Sequence, residues 1–133
     1  MRASYLFATN AVVAYIFGLA LILIPEQTAT LYDIQLTAGG AYMARLFGGA
    51  LLSFGLLTWL VRHAAASPER RAIVLSLLLG NGAGFVVSLL AQLAGVANAL
   101  GWSTVVLFFL LSLGFVYVLL QSEPDILKPW LAQ

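Results

Sequence analysis

The chain has 133 residues and a net charge of +1, and 62 % of its residues are hydrophobic whereas 8 % are charged. Because soluble domains carry about 25 % charged residues, this composition predicts a membrane protein. The near-neutral charge offers no basic field, so nucleic-acid binding is not expected. The chain has no cysteine, which excludes disulfides, thiol redox chemistry and cysteine-ligated metal sites.

The first apolar run covers residues 5–24 and ends at Pro25. A helix needs roughly 20 residues to cross the hydrocarbon core, so this run predicts a membrane span. A cleaved signal peptide is the alternative, with an apolar region of about 7–15 residues and a small-x-small cleavage site. The longer run and the following PEQTAT favour a retained span.

The second predicted span covers residues 41–61, after an outer loop over 25–40 whose Pro-Glu start suits a short interfacial helix. The charged loop RHAAASPERR (62–71) follows, and its Glu-Arg-Arg end is expected to be a solvated helix start. Ser67 as N-cap and Pro68 at the first helical position predict where the next helix begins.

No charged residue occurs between positions 72 and 122, a stretch long enough for two spans. Gly95, Asn98 and Gly101 predict the break, giving a third span over 72–93 and a fourth over 102–120. The sequence therefore predicts an all-α, single-domain polytopic membrane protein over residues 1–133. Its four transmembrane helices are expected to form an antiparallel bundle.

The placement of Lys and Arg predicts the orientation. Three arginines lie in the 62–71 loop, Arg2 precedes the first span and Lys128 follows the fourth, whereas the 25–40 loop and the 94–101 turn have none. Both termini and the middle loop are therefore expected to face the cytoplasm.

The third span contains SLLLGNGAGFVVSLLAQ (76–92), whose glycines lack the strand and acidic partner of a dinucleotide-binding fingerprint. Small and polar residues there recur every four positions and predict a helix-packing face, because small residues let helix backbones approach closely in lipid. A ligand groove along the same face is the alternative. The predicted packing residues are Ser76, Gly80, Gly84 and Ser88 in this span, and Gly48 and Gly49 in the second.

Polar residues in the spans form the candidate ligand-binding set. At about 1.5 Å of rise per residue, Asn81, Ser53 and Ser112 lie near the midplane, and Arg45 and Gln92 lie nearer the outer face. The structural alternative is a set of interhelical hydrogen bonds, each contributing roughly 0.6 kcal/mol.

Arg45 is an ionisable residue within a predicted span, which makes it a functional candidate. It lies one turn inside the second span, so its side chain is long enough to reach the outer headgroups. Pairing with Asp33 or Glu26, or with helix-end carbonyls, is a second explanation. Binding a lipid phosphate or a substrate carboxylate is a third.

No Asp, Glu, His or Lys lies in any predicted span. Acid–base or nucleophilic catalysis needs such a group beside the reacting atoms, so no catalytic residue and no enzyme activity are predicted. His63 is the only histidine and makes a poor metal site, and no metal or other cofactor is expected.

The pattern LYDI…YMARLFGGALLSFGLLTW (31–59), followed by a basic loop and two charge-free spans, resembles the small four-helix bacterial inner-membrane proteins grouped as DoxX-like. The resemblance rests on Arg45, Gly48 and Gly49 and covers most of the chain in topology. It implies a bacterial-type inner (plasma) membrane. Some members of such families have been linked to oxidoreductase complexes or sulfur metabolism, but this chain has no cysteine to carry such chemistry.

Two functions are compatible with these patterns. The first is a non-catalytic module, either an accessory subunit of a membrane-protein partner or a homo-oligomer in the lipid bilayer. The second is binding or translocation of a small amphipathic molecule, a lipid or a quinone. In that case Arg45 would hold its polar head and the Gly80–Gly84 segment its apolar body.

Overall fold

The computed structural model describes residues 3–121, and this part of the chain is helical with no strands. Four of its helices are long and apolar enough to cross a membrane, which confirms the predicted all-α membrane fold. The part of the orientation prediction that concerns the two termini, with Arg2 and Lys128, lies outside the described residues. The elements are α1 (Ala3–Leu23), α2 (Pro25–Thr30), α3 (Ala38–Val61), α4 (Pro68–Leu93) and α5 (Gly101–Gln121).

Two of the long helices begin at side-chain caps, before their apolar sequence starts. The hydroxyl of Ser67 accepts a hydrogen bond from the amide of Arg70 at 3.1 Å, with Pro68 in the first turn. The hydroxyl of Thr37 does the same for the amide of Gly40, also at 3.1 Å. Because such caps satisfy amides without an intrahelical partner, α3 and α4 start three or four residues before the predicted spans.

Helix α4 ends at the predicted break through a glycine in the left-handed conformation, Gly95 at φ 73°. The amide of Gly95 donates to the carbonyl of Gln92 at 3.1 Å, and that of Val96 to the carbonyl of Ala91 at 3.0 Å. This pair of bonds is the Schellman motif, which satisfies the last carbonyls of a helix. The chain then turns back into α5.

The long helices pack as two antiparallel pairs, α1 with α3 and α4 with α5, and the pairs meet where α1 contacts α5. We call the end that holds the starts of α1 and α4 and the ends of α3 and α5 the arginine end. The end that holds α2 and the 94–100 turn is the loop end.

The α1–α3 contact is close because small residues face each other. A methyl group added at Gly48 would lie 2.7 Å from the carbonyl oxygen of Gly18, and one at Gly55 would lie 3.2 Å from that of Ala11. Backbone therefore approaches backbone, as small residues allow in lipid. The buried residues of α3 recur at steps of seven or three and are Ala41, Gly48, Gly55 and Thr58, and those of α1 are Leu6, Phe7, Asn10, Ala11, Ala14 and Gly18.

A hydrophobic cluster joins α1, α4 and α5 towards the arginine end. Phe7 and Phe115 are fully buried, with ring centroids 5.9 Å apart in an edge-to-face arrangement that aromatic pairs favour. The buried members of the cluster are Leu6, Phe7, Val74, Leu77, Leu111, Phe115 and Val118.

Candidate functional site

Arg45 lies on α3 at the loop end with an exposed side chain. Its Nε donates a hydrogen bond to the carbonyl oxygen of Ile22, in the last turn of α1, at 3.3 Å. A cation near the C-terminal carbonyls of a helix is stabilised by the helix dipole. Among the explanations given for Arg45, this hydrogen bond corresponds to pairing with helix-end carbonyls.

Asn81 is buried on α4 beside Asn10 of α1; the two side chains are 8 % and 7 % exposed. The amide nitrogen of Asn81 donates to the carbonyl of Leu77 at 2.8 Å and to the side-chain oxygen of Asn10 at 3.5 Å. Buried amides need such partners because the membrane interior supplies no water. This amide pair is the polar contact between α1 and the α4–α5 pair.

The other three candidate ligand-binding residues make local hydrogen bonds. Ser53 is exposed and donates to the carbonyl of Gly49 at 3.3 Å, whereas the Ser112 hydroxyl donates to the carbonyl of Phe108 at 2.7 Å. Gln92 donates from Nε2 to the carbonyl of Asn98 at 2.9 Å. None of these bonds joins Ser53 or Ser112 to Asn81, so the structure does not assemble the midplane set into one polar site.

The small residues of α4 face two directions. A methyl group added at Gly84 would lie 2.7 Å from the ring of Phe108 on α5, whereas one added at Gly80 would meet no atom within 4 Å. Ser76 is exposed and donates to the carbonyl of Ala72, and the half-buried Ser88 donates to that of Phe85. The end of the stripe near Gly84 packs on α5, and its beginning points away from the protein.

We call Ser76, Gly80, Ala83 and Val87 the outward face of α4. All four residues are exposed and lie three or four positions apart, so they share one side of the helix. None is charged, and Gly80 leaves the backbone uncovered. The two glycines of α3 differ in the same way, because Gly48 packs on Gly18 whereas Gly49 has no atom within 4 Å of an added methyl group.

Asn98 ties the two connections at the loop end together, a role that the sequence analysis did not assign. Its Nδ2 donates to the carbonyl of Leu31 at 3.0 Å, and its backbone amide donates to the carbonyl of Tyr32, also at 3.0 Å. Its Oδ1 accepts from the amide of Leu100 at 3.0 Å. The signal in the sequence was an asparagine beside a glycine turn, which identified the turn and not its partner.

The arginine end contains the largest departure from expectation. Arg71 was expected to be solvated but is buried, with 8 % exposure, and its Nη1 donates to the carbonyl of Leu119 at 3.3 Å. The half-buried Arg70 places its guanidinium carbon 5.2 Å from the ring centroid of Phe7. The Nε of both arginines is buried without a hydrogen-bond partner. Two cations thus lie against the hydrophobic cluster.

A shallow apolar groove runs between α1 and α3, lined by Val12, Tyr15, Ile16 and Trp59. The guanidinium carbon of Arg62 lies 3.8 Å from the Trp59 ring centroid, in a cation–π contact. Trp59 thus lines the groove and also stacks against the guanidinium of Arg62.

Within residues 3–121 no three His, Cys, Asp or Glu side chains cluster as a metal site would require. Comparison with protein-family models, with curated proteins and with solved structures finds no match.

Proposed function

We propose that this multi-pass membrane protein is a non-catalytic module that assembles with a second copy of itself through the outward face of α4. The observation that carries this proposal is the open space over Gly80, where an added methyl group meets no atom within 4 Å. In the alternative, a different membrane protein packs on the same face and this chain is its accessory subunit.

The chain's own packing supports this assignment. Apolar side chains gain little by leaving lipid, so close backbone approach between small residues is a main source of helix association. Inside the protein, glycine allows such close packing between Gly18 and Gly48 and between Gly84 and Phe108. The outward face of α4 has the same composition and no partner within the described residues. It is uncharged, so it meets its own copy across a twofold axis without repulsion.

Native mass spectrometry of the purified chain tests the proposal. The wild type is expected to be a dimer, and Gly80→Leu is expected to shift it to monomer because the bulky side chain separates the two backbones. Gly49→Leu is the matched control, since it adds the same side chain in open space on α3. A monomeric wild type contradicts the proposal, and a different co-purifying membrane protein in place of the second copy favours the accessory role.

A second candidate function is binding or translocation of a small amphipathic molecule, a lipid or a quinone. It is supported by the groove between α1 and α3 and by Arg62 stacked on its Trp59 wall. Arg45 and the Gly80–Gly84 segment lie on α3 and α4, which belong to different packed pairs of helices.

Filling that groove tests the second candidate. Val12→Trp should remove a co-purifying amphipathic molecule detected by mass spectrometry of an organic extract, while Arg45→Ala should leave it bound. Loss of the molecule from Arg45→Ala alone would instead restore the site predicted from the sequence.

For localisation we propose a bacterial-type inner membrane with the arginine end in the cytoplasm, in line with the resemblance to DoxX-like proteins. Three arginines lie in the 62–71 loop and none in the 25–37 connection, the asymmetry that sets membrane orientation. The absence of native cysteine makes labelling direct. Asp33→Cys should react with an impermeant maleimide from outside whole cells and His63→Cys should not; the reverse pattern would invert the orientation.

A further inference from the structure

We propose that Arg70 and Arg71 bind the phosphate of an anionic phospholipid at the arginine end, where the starts of α1 and α4 meet the end of α5. This inference is independent of the assembly proposed above, because the two arginines lie in the first turn of α4 and apart from its outward face.

Arg71 carries a buried positive charge. A buried guanidinium is costly unless an anion or several hydrogen-bond acceptors compensate its charge. Arg71 is 8 % exposed, yet its hydrogen bond goes to a neutral acceptor, the Leu119 carbonyl. Its Nε is buried with no partner. The charge is held in place and left without a counter-ion among residues 3–121.

Arg70 adds a second cation at the same end. Its guanidinium carbon lies 5.2 Å from the ring centroid of the fully buried Phe7, and its Nε also lacks a partner. Because Arg70 is half-buried rather than enclosed, a ligand can approach it from the membrane surface. Arginine binds phosphate with paired donors, a geometry that Lys does not offer.

The local sequence supplies almost no competing anion. Glu69 is the only acidic residue between Asp33 and Glu123, and its side chain is exposed. Glu123 and Asp125 follow in the sequence beyond the described residues, and their carboxylates are the alternative counter-ions to a lipid phosphate.

The depth of the pair favours a lipid over a free anion. The charge-free part of α4 begins at Ala72, directly after Arg71, so both guanidinium groups lie where the apolar span meets the headgroups. Leu120, next to the carbonyl that binds Arg71, is 77 % exposed and offers apolar surface to an acyl chain. Basic pockets between helices at this depth bind anionic headgroups.

Lipid retention by the full chain tests the assignment. The protein is purified in detergent containing equal amounts of phosphatidylglycerol and phosphatidylcholine, and bound lipids are counted by native mass spectrometry. We expect phosphatidylglycerol to be retained about tenfold in excess, and the variant Arg70→Gln/Arg71→Met to lose that excess. Lys128→Gln is the control, since it removes one positive charge of the chain at a position outside α4. An unchanged excess in the double variant overturns the proposal.

Four further experiments separate the lipid assignment from its alternatives. If the double variant fails to fold, Arg70→Gln alone should still reduce the excess several-fold, and no reduction overturns the proposal. Millimolar inorganic phosphate should not displace the lipid; displacement would assign the arginines to a free anion and overturn the lipid assignment.

Glu123→Gln/Asp125→Asn should leave lipid retention unchanged, and a large gain in retention would identify these carboxylates as the counter-ions instead. Gly80→Leu should also leave retention unchanged, which separates this test from that of assembly.

Discussion

The adjacent glycines of α3 have different surroundings: Gly48 packs against α1, whereas Gly49 faces open space. Gly48→Ala places a methyl group 2.7 Å from the backbone oxygen of Gly18, so the helices must move apart. We expect a loss of about 1–3 kcal/mol in the free energy of unfolding. Gly49→Ala meets no atom within 4 Å and is expected to be neutral or to stabilise by at most about 1 kcal/mol.

Unfolding of both variants in mixed micelles by a denaturing detergent measures this difference. Equal effects of the two substitutions would show that α1 and α3 do not approach as closely as the structure has them.

The amide pair of Asn10 and Asn81 is a second residue-scale prediction. The 3.5 Å separation of their side chains is long for a hydrogen bond, so the coupling between them should be weak. A double-mutant cycle with Asn10→Ala and Asn81→Ala should give an interaction energy of about 0.6 kcal/mol, the usual value for a bond between membrane helices. A coupling of several kcal/mol would point to a polar site that includes a further group.

At the scale of the element, Asn98 decides how the two hairpins are joined at the loop end. Asn98→Ala removes the side-chain bonds to Leu31 and Leu100 and should cost about 1–2 kcal/mol. Asn98→Asp keeps the acceptor for the Leu100 amide but sets a carboxylate oxygen against the Leu31 carbonyl oxygen, so it should cost at least as much as Asn98→Ala. Thermal unfolding in detergent compares the two, and a clearly smaller loss from Asn98→Asp would argue against a bond to Leu31.

The helices themselves follow from the sequence because charge-free length and caps are local properties. Which face of a helix meets a neighbour is less local. Residues four apart advance by about 40° around a helix of 3.6 residues per turn, so the stripe from Ser76 to Gln92 turns from the outside to α5. Spacing by seven drifts by only about 20°, which is why Gly48 and Gly55 both face α1.

The burial of Arg71 at the arginine end could not be predicted from the sequence for a related reason. The burial of Arg71 depends on the end of α5, whose Leu119 carbonyl lies 48 positions further along the chain. A Glu-Arg-Arg helix start looks the same in the sequence whether or not another helix covers it. The buried amide pair had the same difficulty, because Asn81 has its partner 71 positions away.

At the scale of the whole molecule, the described helices leave much apolar and small-residue surface uncovered. Tightly associated faces occur between α1 and α3 and between α4 and α5, while the outward face of α4 has no neighbour within the described residues. A second copy in the same membrane shares the first copy's orientation. Twofold symmetry then places the same residue of each α4 on the two sides of the axis.

Cysteine cross-linking in native membranes tests this account most directly, because the chain has no cysteine of its own. A disulfide requires Cβ atoms about 3.5–4.5 Å apart, so it forms only between residues that face each other across the axis. Ala83→Cys, on the outward face of α4, is predicted to give a covalent dimer on mild oxidation, and Leu46→Cys, exposed on α3, is predicted to stay monomeric. No dimer from Ala83→Cys, or equal dimer from both variants, would contradict assembly through α4.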